Sequence, residues 1–217
     1  MKPILYNTEM VQAILKGQKA VTRRVVKPLV PEPCELRKMQ EGYHAGEWHL
    51  YCENPLLDGP NRSPWGAQFT EPYQPGDILY VRETFVELPV TPDGKLIGGK
   101  PWLYYKADGD MRPPAWQGNW RPSIFMPKEA ARLFLRVTDV RAERLQAIKE
   151  RGSSSAHAEG FQNDVFLPGG KSATRKFAEL WDSLIKPADR DIYGWDANPW
   201  VWVIEFERCE KPEEEYP

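Results

Sequence analysis

The residues best suited to chemistry sit in Gly17-Gln-Lys-Ala-Val-Thr-Arg-Arg24, where a lysine, a threonine and two arginines follow a helix stop. A lysine ammonium titrates near about 10.4, so it serves as a base near neutrality only where burial or neighbouring cations lower that value. Arg23 and Arg24 are such neighbours. A desolvated Lys19 can take the Thr22 hydroxyl proton and turn that oxygen into a nucleophile for an acyl carbon, as in Ser–Lys hydrolytic pairs. Expelling an amine then needs a proton donor, and a carboxyl in an apolar niche provides one. Glu159, in Ala156-His-Ala-Glu-Gly160 and followed by Phe161, has that setting. The basic cluster also reads as a surface turn with solvated charges, the commoner fate of such side chains.

Local pattern shows what must position these groups. Met10, Ala13, Ile14 and Leu15 recur at helical spacing behind Asn7 or Thr8 as N-cap, and Gly17 suits a C-terminal position of positive φ. From Lys19 the chain alternates as a strand, with Val21 on one face and Thr22 and Arg24 on the other. An odd separation sends Lys19 and Thr22 to opposite faces, so their meeting requires a bend or a bulge. Further on, the pattern predicts a hairpin around Gly46–Tyr51. A strand over 78–87 turns at Asp93-Gly94 and pairs with a second strand over 102–107. A central strand is expected over 131–140, a helical turn over 155–160, an amphipathic helix over 172–184 and a last strand over 200–207.

Five blocks in order resemble the ASCH family. Gly17, Lys19, Thr22 and Arg24 match its G-x-K-x-x-T-x-R signature, and Gln74-Pro-Gly-Asp-Ile-Leu-Tyr-Val-Arg-Glu83 is similar to its PGD, apolar strand, Arg-Glu segment. Val137–Leu145 resembles the central strand, Ala156–Gly160 the A-x-x-E-G helix, and Asn198–Phe206 the closing strand. The resemblance covers about Met1 to Phe206 and is closest to the longer members often carried by phages and prophages. It implies an α+β fold, a PUA-like mixed β-barrel with flanking helices and long loop insertions. The whole of 1–217 is then one domain, with insertions at about 28–73 and 108–127 and an acidic tail over 208–217. It also implies removal of the acetyl group from N4-acetylcytidine, with Lys19 as proton acceptor, Thr22 as nucleophile and Glu159 as proton donor. Arg24, Arg82 and Glu83 would line or brace the cleft. Trp120 and Trp195, which lie in loops, are candidates for stacking on the substrate.

Composition limits the partners. A net charge of −2 does not favour a long phosphate track, although Arg132, Arg136, Arg141 and Arg144 sit along one strand and its exit. No apolar run approaches the roughly 20 residues of a membrane span, and a signal-peptide core is missing, so a cytoplasmic protein with no membrane partner is expected. Cys34, Cys52 and Cys209 are odd in number and lack metal-ligand spacing. Lone thiols are therefore expected rather than a disulfide framework, and a zinc site with His44 and His49 is set aside. The reading calls for no metal and no cofactor, and favours a monomer.

Three functions remain open at the level of sequence. The first is an amidohydrolase acting on a small acylated nucleoside. The second is a module that binds or cleaves single-stranded RNA, with bases stacked on aromatic walls. The third is a non-catalytic phage regulatory or interaction protein whose pocket is vestigial.

Overall fold

The computed structural model describes residues 1–30, 34–40, 45–51, 69–116, 118–150, 153–165 and 169–212. In chain order the strands are β1 (Lys2–Leu5), β2 (Val21–Val25), β3 (Glu35–Lys38), β4 (Trp48–Tyr51), β5 (Ile78–Arg82), β6 (Phe85–Leu88), β7 (Trp102–Tyr105), β8 (Phe134–Arg144) and β9 (Trp200–Cys209). The α-helices used below are α1 (Thr8–Leu15), α2 (Ala147–Glu150), α3 (Ser153–Ala158) and α4 (Ala173–Leu184). The chain gathers into two compact units. Unit 1 holds Met1–Ala20, Gly76–Val137 and Phe206–Pro217, and unit 2 holds Val21–Pro75 and Thr138–Glu205.

In unit 1, β1 runs parallel to β5 from Lys2↔Leu79 to Leu5↔Arg82, and β5 runs antiparallel to the start of β8. The sequence pattern gave no sign of β1, a short segment in which Ile4 alone is buried. The Asn7 side chain caps α1 by accepting from the Met10 N–H at 2.9 Å, and the helix buries Met10, Val11, Ala13 and Ile14. The Gly17 N–H then donates to the Ile14 carbonyl and that of Gln18 to Ala13, which closes the helix with Gly17 at φ +68°. The strand expected over 78–87 breaks in two. β5 ends at Arg82, and β6 pairs with β7 from Phe85↔Tyr105 to Leu88↔Trp102. Phe85, Met126 and Ala130 form a small core beneath that hairpin.

In unit 2, β2 lies antiparallel to β9 from Val21↔Glu205 to Val25↔Val201. Val21, Val201 and Val203 pack with Leu145, Ile148, Phe177 and Trp181 in one core, toward which α4 turns its apolar side. Full burial of each such side chain stabilises the fold by roughly 1.5–3 kcal/mol. The expected hairpin at Gly46–Tyr51 is β4, paired with β3 from Glu35↔Tyr51 to Lys38↔Trp48. Trp48 meets Trp202 edge to face at 5.1 Å.

By hydrogen bonding the strand order is β1-β5-β8-β9-β2, with β3-β4 and β6-β7 as separate two-stranded sheets. The class is therefore mixed α+β with several sheets and few helices. Among the described residues the strands form no closed barrel. Two expected boundaries move: β8 begins and ends later than 131–140, and β9 runs on to Cys209, into the segment read as a tail. Most of the first expected insertion lies outside the described residues.

The cysteine expectation is corrected at Cys34, which is disulfide-bonded. Cys209 is a free thiol, pushed up from its ordinary pKa chiefly by burial, and Cys52 lies outside the described residues. Disulfides persist in oxidising compartments, so Cys34 does not support the cytoplasmic expectation. Among the described residues, no helix is long and apolar enough to cross a membrane.

Gly17→Ala tests the helix stop. Space is not the obstacle, since a Cβ there would meet nothing within 4 Å, but φ +68° disfavours any L side chain. Urea unfolding should show a loss of about 1 kcal/mol.

Candidate functional site

β2 carries Val21, Thr22 and Arg23 as consecutive buried residues. Strand alternation puts Val21, Arg23 and Val25 on one face and Thr22 and Arg24 on the other. The valines pack against the core with α4, and the Arg23 guanidinium stands 5.9 Å from the Phe177 ring centroid. Its Nη1 donates to Glu159 Oε1 at 2.9 Å and its Nη2 to the Ser155 hydroxyl at 3.0 Å. Glu143 Oε2 lies 3.9 Å from Nη2. The Arg23 side chain is 0% exposed and that of Glu159 3%, so both groups are out of water and need close partners. Glu159 reaches this position because Gly160 turns the chain at φ +96°, while the Phe161 N–H returns to the Ala156 carbonyl.

Lys19, Thr22 and Glu159 are all buried, at 5%, 2% and 3% exposure. Lys19 belongs to unit 1, where its ammonium lies 5.6 Å from the Tyr6 ring centroid. Thr22 and Glu159 belong to unit 2. There the structure joins Glu159 to Arg23, on the face of β2 opposite Thr22. Arg24 is half-buried on the Thr22 face, in register with Trp202.

Arg82 and Glu83 lie in unit 1, and Arg82 Nη2 donates to the Ile124 carbonyl. Glu83 is 1% exposed and accepts from Arg132 Nε at 2.9 Å and Nη2 at 3.1 Å. Arg132 also donates to Asp108 and lies 3.9 Å from the Tyr105 ring centroid. Burial raises the Glu83 carboxyl above the usual range even though Arg132 opposes the shift, and burial pushes the Tyr105 hydroxyl up to about 12. This cluster occupies the break between β5 and β6.

The two loop tryptophans are held by the protein itself. Arg112, forked onto Asp110, lies 4.2 Å from the Trp120 ring centroid. Trp195 meets Phe177 edge to face at 6.0 Å, carries Lys149 over its ring and donates its backbone N–H to Asp182. The arginine series leading into and along β8 is largely neutralised. Arg132 faces Glu83 and Asp108; Arg136 faces Glu207; Arg141 faces Asp139, Glu143 and Glu205. Among the described residues, no group of histidine, cysteine and carboxylate side chains is placed to hold a metal. His49 is paired with Glu47, and His44 lies outside the described residues.

Sequence reasoning treated Arg23 only as a neighbouring charge and overlooked Glu143 and Ser155. The available signal was an arginine between Val21 and Val25 at strand spacing, because a charge on an apolar face requires a partner. Comparison of the chain with family models, curated proteins and solved structures finds no match.

Two measurements check this geometry. Arg23→Met should cost about 3–5 kcal/mol in urea unfolding by removing the guanidinium that pairs with the buried Glu159 carboxylate, and adding Glu159→Gln should restore much of the loss. The second concerns Glu83. A carboxyl whose pKa is raised in the folded state stabilises the fold fully below its unfolded value, and that stabilisation is lost as pH rises through the folded value. Unfolding free energy followed upward from pH 4 should therefore fall more in the wild type than in Glu83→Gln.

Proposed function

We propose that the chain is an ASCH-type amidohydrolase, with a fold related to the PUA-like barrels, that removes the acyl group from an N-acylated nucleoside such as N4-acetylcytidine. The observation that carries this reading is the burial of Lys19, Thr22 and Glu159, with 2–5% exposure in each case. A solvated surface turn would leave these groups wet, whereas an amine base requires desolvation. The support is the burial together with the five sequence blocks.

In the proposed reaction Lys19 takes the Thr22 proton and the Thr22 oxygen adds to the acyl carbon. The carbon–nitrogen bond then breaks as the leaving nitrogen receives a proton from Glu159. Water then adds to the Thr22 ester as it gives a proton to Glu159, and the carbon–oxygen bond breaks as the Lys19 ammonium returns its proton to the Thr22 oxygen, releasing the acid and restoring all three groups. Arg23 is a positioning residue that fixes the Glu159 carboxyl through Oε1. Because alternation sends Thr22 and Arg23 to opposite faces of β2, and because a carboxylate paired with Arg23 must take up a proton before it can donate one, the Glu159 role needs its own test.

The RNA-binding or RNA-cleaving reading requires a track of uncompensated bases. Arg132, Arg136 and Arg141 each face carboxylates, which does not favour it.

Purified protein incubated with N4-acetylcytidine should release cytidine and acetate, separable by chromatography. Lys19→Arg should abolish turnover with the fold intact, since a guanidinium stays protonated. Thr22→Ala should be inactive, and Thr22→Ser should keep part of the activity. Glu159→Gln should still bind the nucleoside and turn it over slowly if the carboxyl is the donor. Loss of activity only in step with loss of folding would make Glu159 a brace for Arg23. Full activity in Lys19→Arg would overturn the proposal.

A further inference from the structure

Unit 2 contains a pocket of about 530 Å³ where β8 gives way to α2, lined among others by Glu143, Arg144, Gln146, Lys149, Asn198 and Trp200. Its walls are tied together before any ligand arrives. The Gln146 backbone N–H donates to Asn198 Oδ1 at 2.7 Å and its Nε2 to the Trp195 carbonyl at 2.9 Å. Arg144 Nη1 donates to the Asn198 carbonyl at 3.2 Å, and the Leu145 N–H to that of Pro199 at 2.9 Å. A preformed wall lowers the ordering cost of binding.

The charges on this pocket have different surroundings. Glu143, its one carboxylate among the described lining side chains, is engaged by Arg141 Nε at 2.6 Å and lies 3.9 Å from Arg23. On the cationic side, Arg144 lies 5.0 Å from the Trp200 ring centroid. The Lys149 ammonium lies 5.1 Å from the Trp195 ring centroid and donates to Gln146 Oε1 at 2.8 Å. Among the described residues Lys149 faces no carboxylate. A ring and an amide oxygen orient an ammonium but do not neutralise it. Asn198 Oδ1 is taken by Gln146, which makes the NH₂ end of the carboxamide its donor end.

We propose that this pocket binds a phosphate monoester on a nucleotide-sized molecule, with Lys149 and Arg144 meeting the phosphoryl oxygens and Trp200 forming the apolar wall. A guanidinium fork beside an ammonium suits a tetrahedral group of about −2 charge, and the volume falls within the range of small-molecule sites, about 300–1,000 Å³. The proposal is independent of the amide chemistry assigned to Lys19 and Thr22.

Titration calorimetry on the full chain at low salt provides the test, with cytidine 5′-monophosphate, cytidine and citrate as separate probes. The monophosphate should bind saturably and at least about tenfold more tightly than cytidine or citrate. Lys149→Glu and Lys149→Gln change an exposed side chain and should keep the wild-type circular dichroism. The first should weaken monophosphate binding at least about tenfold and the second less, while Lys100→Glu in unit 1 should have no effect. Absence of saturation up to about 10 mM monophosphate would overturn the proposal, as would equal affinity in Lys149→Glu. Equal affinity for cytidine would overturn the phosphoryl contact, and equal affinity for citrate would reassign the pocket to carboxylates.

Discussion

The buried ion pair of Arg23 and Glu159 constrains unit 2 more than any other contact described. Two charges taken out of water cost several kcal/mol each and are tolerated only with close geometry and further hydrogen bonds. Ser155, Glu143 and the Phe177 ring supply those contacts. The pair therefore fixes how the end of α3 meets β2, and with it which way each neighbouring residue of the strand faces. Hydrophobic packing alone would tolerate a slip of the turn at Glu159-Gly160. A hydrogen bond of 2.9 Å between two buried charges does not.

Unit 1 uses the same device at a strand break. Glu83 and Arg132 occupy the point where β5 stops and β6 begins, and Asp108 and the Tyr105 ring complete the surroundings of the guanidinium. An ionised side chain buried in the middle of a strand would leave neighbours on both sides to satisfy. At a break, Arg132 reaches it from a separate segment, and the buried pair falls where one apolar stretch becomes two strands.

The sequence made legible those features whose causes are local. α1 follows from its apolar spacing, the Asn7 cap and Gly17; α4 follows from its amphipathic pattern; β4 and the β6–β7 pairing follow from alternation and turn residues. Features set by distant partners were not legible. β1 is a strand because β5 lies beside it, and the break at Glu83 depends on Arg132, which is remote in sequence. At the candidate site, alternation correctly separated Val21 from Thr22, yet the partner of Arg23 lies 136 residues further along the chain and is invisible to any local rule. The two loop tryptophans, read as stacking candidates, lie against Arg112 and Phe177, contacts that no local rule shows.

Asn198 combines a left-handed backbone, φ 48°, with a side chain and carbonyl that hold the end of β8, and it is followed by Pro199. An asparagine in an irregular segment ages by attack of the next residue's amide nitrogen on its own carboxamide. Proline has no N–H to deprotonate for that attack. The side chain that clamps the strand exit is thus shielded from the ordinary route of deamidation by the identity of its neighbour, so this joint should keep its chemistry as the protein ages.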